Sequence, residues 1–151
     1  MKNNLPDHVF YMRKAILMAE LGYEKGEVPV GAVLVSGGVI ISRSHNQSEL
    51  LHDATAHAEM LVLTSACAHF QSKYLKDCTL YVTLEPCPMC AAALYWTQIK
   101  TVVWGAKDEK RGFTQYSPNL LHPASEILSG ILAEEAAILL KQFFKDRRST
   151  I

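Results

Sequence analysis

Cys78-Thr79-Leu80-Tyr81-Val82-Thr83-Leu84-Glu85-Pro86-Cys87-Pro88-Met89-Cys90 carries an apolar run directly into a proline-framed pair of cysteines. Cys78 to Leu84 reads as a buried strand, rich in residues that pack on a pleated surface. Pro88 suits the first turn of a helix that runs to about Trp96. Outward from this unit, Thr101 to Trp104 is a short strand and Glu126 to Leu128 another, with a last helix from about Ala133 to Arg147. Lys107 to Ser125 mixes polar residues with Gly and Pro and reads as a surface loop with some short helix. Upstream, Val9, Met12, Ile16 and Ala19 recur at helical spacing between about Asp7 and Tyr23, and Gly22 and Gly26 mark the end. Val28 to Val35 is a β-branched run, Ser36-Gly37-Gly38 a turn and Val39-Ile40-Ile41 the start of a second strand, hence a hairpin. Asp53 or Thr55 can cap a helix continuing through Glu59, Leu61, Val62 and Ala66. Helices alternating with strands around one hydrophobic sheet predict a three-layer α/β domain, a single domain over residues 1–151.

The composition agrees. With 151 residues, 49% of them hydrophobic, the chain can bury roughly two thirds of its unfolded surface, which excludes a disordered class. Lys+Arg and Asp+Glu both count 15, so the net charge is zero. A nucleic-acid partner must then be met through a local patch. The stretch from Val28 to Ile41 comes nearest to a membrane span and is broken by Pro29, Gly31, Ser36, Gly37 and Gly38. Met1 to Asp7 has no secretory character. A soluble, cytoplasmic protein is expected, and in a reducing compartment a close cysteine pair points to metal or redox chemistry before a disulfide.

Cys87 and Cys90 are three apart at a helix start, so both sulfurs lie on one face, where the helix dipole favours thiolates. His57 opens a different helix and can supply a third ligand to zinc, leaving one tetrahedral position open, as catalytic sites do. Glu59 lies about 200° further around that helix, at ~100° per residue. The two side chains converge only near the helix axis, beyond its end. A metal facing the helix N-terminus fits, with Glu59 free to act as proton shuttle to a zinc-activated water. His-x-Glu followed by Pro-Cys-x-x-Cys is the signature of zinc nucleobase deaminases. A redox-active pair is disfavoured by Pro86 and Pro88 and the lack of a thioredoxin-like pattern.

The chain resembles the bacterial tRNA-specific adenosine deaminases of the cytidine deaminase superfamily, from about Met12 to Arg148. The resemblance rests on Glu27-Val28-Pro29-Val30-Gly31-Ala32-Val33, on Asp53-Ala54-Thr55-Ala56-His57-Ala58-Glu59, on Thr79 through Cys90, and on Gly130-Ile131-Leu132-Ala133-Glu134-Glu135. It implies a three-layer α/β/α fold with a mixed central sheet, and zinc, one ion per chain, on His57, Cys87 and Cys90. Glu59 would be the catalytic proton shuttle. It further implies hydrolytic conversion of adenosine to inosine at the wobble (first anticodon) position of a tRNA anticodon stem-loop, by a homodimer with no membrane partner. Asn46 would hold the target nucleoside, with Val30, Ala58 and Leu84 lining its pocket. From the residues alone, Asn46 reads equally as a turn residue, and Val30 and Leu84 as core. Where the family carries small residues after Asp108, this chain has Lys110-Arg111-Gly112-Phe113-Thr114-Gln115-Tyr116. Ala93-Leu94-Tyr95-Trp96 resembles the related guanine deaminases, so the alternative is a free-base deaminase acting on guanine or cytosine.

Cys67, Cys78 and Trp104 read as core, Trp96 as a subunit contact, and His45 and His52 flank the site. On the last helix, Leu132, Ala136, Leu139, Leu140 and Phe143 form an apolar stripe. Lys141, Lys145 and Arg148 fall together on another face, which is either solvated or the phosphate contact for RNA.

Overall fold

A computed structural model describes residues 5–149. Three strand segments alternate their side chains between two cores. Ala32 and Leu34 of β1 (Gly31–Ser36), Leu80 and Val82 of β3 (Cys78–Leu84), and Val102 and Trp104 of β4 (Thr101–Ala106) face one side. Val33, Val35, Tyr81 and Val103 face the other. A strand's period of two makes one sheet serve two helical layers. With β2 (Val39–His45) and β5 (Glu126–Ser129), the sheet order is β2-β1-β3-β4-β5. β1 is antiparallel to both β2 and β3, whereas β3, β4 and β5 run parallel. The three-layer α/β/α fold with a mixed sheet is therefore present.

On one face lies α1 (Leu5–Glu24), burying Met12, Ala15, Ile16 and Ala19 at helical spacing, beside α5 (Ala133–Ser149), which buries Ala136 and Phe143. α1 approaches so closely that a Cβ on Gly31 would meet the Ala15 carbonyl oxygen. α3 (Ala58–Phe70) and α4 (Pro88–Thr97) cover the opposite face. Among the described residues no helix is long and apolar enough to cross a membrane.

The hairpin turns on Gly37 and Gly38, both at positive φ, the backbone that a tight two-residue loop requires. Two expectations need correction. β1 begins at Gly31, not at Val28, because Pro29 has no N–H and the Val30 N–H closes a tight turn onto the Val28 carbonyl. Neither Asp53 nor Thr55 caps α3: Asp53 Oδ1 accepts from the Thr55 N–H and hydroxyl in a separate turn, and His57 is the N-cap residue. A single helical turn, α2 (Ser48–Leu51), lies in a stretch to which the sequence reading assigned no element. The 107–125 segment contains a 3-10 turn at Phe113–Gln115, in keeping with its reading.

Candidate active site

Two helix N-termini point at one place. His57 caps α3 and Cys87 caps α4, both with extended backbones and neither using its side chain as a cap. The Ala58 N–H at the start of α3 is instead satisfied across the chain by Asn46 Oδ1, 2.8 Å away. Because His57 stands just outside its helix, its ring is released from helical geometry and can share a point with Glu59.

Nδ1 of His57 lies 3.6 Å from Cys87 Sγ and 3.5 Å from Cys90 Sγ. One imidazole proton cannot serve two sulfurs, but one cation can serve all three atoms. Tetrahedral zinc, with bonds of ~2.3 Å to sulfur and ~2.0 Å to nitrogen, sets such ligand pairs about 3.5 Å apart. The residues present fit the ion. Among the described residues the group comprises these three, which leaves a coordination position for catalysis and disfavours a purely structural zinc module.

The thiols are split by their mutual contact. The Cys90 thiol donating to Cys87 lowers the Cys87 pKa to about 4, against the opposing effect of burial, with His57 and the Cys90 N–H helping. Contact with Cys87, then burial, raises Cys90. Glu59 is 4% exposed, and that burial raises its carboxyl above the ordinary carboxylate range.

Two of the triad, His57 and Cys87, line a cavity of about 840 Å³. Val30, Asn46 and Leu84 line it, together with His57, Glu59 and Cys87. Ala58 is fully buried and stands behind the wall rather than in it. Lys141 and Arg148 reach the cavity, whereas exposed Lys145 lies outside its wall. His45 is buried, its Nδ1 against the Asn46 carbonyl, and His52 is an exposed left-handed cap after α2.

Several lining residues were not foreseen. Lys107, Asp108, Glu109, Lys110 and Arg111 form a rim from the loop after β4, and Phe144, 44% exposed, lies between Lys141 and Arg148. With Lys141 and Arg148, this rim carries five cations against Asp108 and Glu109, a local positive patch on a chain of zero net charge. Two buried glutamates hold the cavity walls. Glu27 accepts from the N–H groups of Glu49 and Leu50 at 3.1 and 2.7 Å, and Glu85 binds the rim loop. Glu85 follows the last residue of β3 and precedes Pro86, and a charge at a strand end beside proline was the available signal for it alone.

A zinc site opened by two helix N-termini, with a buried carboxylate beside it, defines a zinc-dependent deaminase. The family described as the cytidine and deoxycytidylate deaminase zinc-binding region matches residues 6–106. A tRNA-specific adenosine deaminase of Bacillus subtilis (strain 168) is 47% identical over 143 residues, covering 91% of this chain and 89% of that protein. Its counterpart in Aquifex aeolicus (strain VF5) is 44% identical, covering 94% and 97%. A solved structure concerned with A-to-I editing by tRNA:A34 deaminases at the wobble position of transfer RNA has a TM-score of 0.81 and 40% identity, covering 87% of this chain and 99% of that one. The chain belongs to the tRNA-specific adenosine deaminases within that zinc-binding family.

Purified protein should hold close to one zinc per chain after extensive dialysis. Cys87→Ser, which removes one thiolate, should lose most of it by metal analysis; full retention would contradict the ligand set.

Proposed function

We propose that the chain hydrolyses adenosine to inosine at the wobble, first anticodon position of tRNA. What supports this reading is that His57, Cys87 and Cys90 are grouped closely enough to hold a metal ion, and that the cavity lined by His57, Cys87 and Glu59 is also lined by Lys107, Lys110, Arg111, Lys141 and Arg148. Zinc held by His57, Cys87 and Cys90 supplies the Lewis acidity that makes water a nucleophile near neutral pH. Glu59 takes a proton from the attacking water and returns one to the departing amine, so water is consumed and ammonia released. Its burial removes competing solvent from both transfers. Asn46 is fixed by its Oδ1 contact with the Ala58 N–H, which leaves its NH₂ group to donate to the nucleoside. Val30 and Leu84 flank the base as apolar walls, and Ala58 supports them from behind.

Such a base must leave its stack to reach a buried site, and a splayed anticodon loop presents it at low cost. Lys141 and Arg148, with Lys145 on the adjoining helical turn, contact phosphates, which position an RNA without reading its sequence. A free guanine or cytosine has no phosphate for that rim to meet. The protein acts as a cytoplasmic homodimer, a reading supported by Trp96, 74% exposed on α4 beside Tyr95. A monomeric mass by light scattering at micromolar concentration would contradict the dimer.

Glu59→Gln should keep zinc and fold while losing at least ~10²–10⁴-fold in turnover, since an amide can neither take nor return the proton. Near-normal turnover would show another base at work. Lys141, Lys145 and Arg148 replaced together by Ala should weaken stem-loop binding and flatten its salt dependence by about one log-log unit per lost contact. Unchanged affinity and slope in the triple variant would return this helix face to solvent.

A further inference from the structure

We propose that Glu85 is a positioning residue that holds the cationic rim loop over the cavity and so sets affinity for the extended substrate, a role that rests on the stem-loop reading above. Glu85 is 2% exposed, and a buried carboxylate needs hydrogen-bond donors. The donors to its carboxylate, Asp108 and Thr114, come from one segment. Oε1 accepts from the Asp108 N–H at 3.2 Å, and Oε2 accepts from the Thr114 N–H at 3.0 Å and the Thr114 hydroxyl at 2.6 Å. Between those two anchors the chain arches through Lys110 and Arg111, whose N–H groups bond to Asp108 Oδ1.

Gly112 fits the same account. Its φ of −62 and ψ of 142 suit any residue, so its backbone does not call for glycine. Space does: a Cβ there would lie 2.3 Å from the Glu85 carboxyl carbon and from Oε2. Lifting the loop strands a buried carboxylate, so the position of the loop and the satisfaction of Glu85 are one equilibrium. Five residues of the segment that Glu85 anchors line the cavity, three of them cationic. A loop that is only partly closed binds its ligand with an affinity reduced by the closed fraction, and the chemistry at Glu59 is unaffected once the ligand is seated.

The test compares wild type with Glu85→Gln and Gly112→Ala, each loaded with zinc. Glu85→Gln leaves an NH₂ group facing N–H donors, and Gly112→Ala pushes the loop off the same carboxylate from its other side. Both should raise KM for an anticodon stem-loop about tenfold, while kcat stays within about twofold and zinc content is unchanged. Limited trypsin digestion, which needs no substrate, should cut at Lys107, Lys110 or Arg111 about tenfold faster in both variants. Should Glu85→Gln fail to fold, Gly112→Ala alone decides. Equal cutting rates and an unchanged KM in a folded variant would overturn the proposal, as would a fall in kcat at unchanged KM. Faster cutting without any stem-loop turnover in wild type would fault the substrate reading and leave the clamp standing.

Discussion

β3 is hydrogen-bonded along both edges, antiparallel to β1 and parallel to β4, and the chain leaves it straight into the N-terminus of α4. That exit places Leu84 in the cavity wall, Glu85 under the rim loop, and Cys87 and Cys90 at the metal triad within seven residues. The exit is rigid for simple reasons. The Glu85 N–H bonds to the Ala106 carbonyl, the Phe113 N–H bonds to the Pro86 carbonyl, and two prolines restrict the turn between strand and helix. Leu80 and Val82, both fully buried, anchor the strand behind it, each contributing about 1.5–3 kcal/mol of burial.

Against this fixed side stands α3, whose start is set from a distance. Asn46, leaving β2, satisfies the Ala58 N–H and thereby places His57 and Glu59 opposite the cysteines. One side chain therefore caps the helix that begins beside His57 and carries Glu59, and also lines the cavity. The helix N-terminus at Cys87 favours its thiolate, which suits a cation there. The neutral chain concentrates positive charge at the mouth, where long-range attraction to a polyanion is most useful.

Most elements were legible because their signals are local. The hairpin follows from Gly37-Gly38 between β-branched runs, α1 from Met12, Ile16 and Ala19, and α4 from Pro88. The grouping of His57 with Cys87 and Cys90 was legible because they occur with spacings that few other chemistries use. What escaped depends on partners far along the chain. The start of α3 was placed too early because its first N–H is capped by Asn46, twelve residues back, rather than by Asp53 or Thr55. Glu27 and Glu85 were passed over because their partners lie far along the chain, main-chain N–H groups of α2 for Glu27 and groups of the loop after β4 for Glu85, which residue identity does not reveal. The rim itself is shaped by those bonds and has no periodicity to read.

On the proposed function, a zinc and carboxylate centre serves an RNA-sized substrate through a cationic mouth. The most direct test is inosine formation on an anticodon stem-loop with adenosine at the first anticodon position, set beside free adenine, guanine and cytosine at equal concentration. The account predicts inosine at that one position and no more than trace ammonia from the free bases. Rapid ammonia release from guanine or cytosine, with the stem-loop untouched, would contradict it.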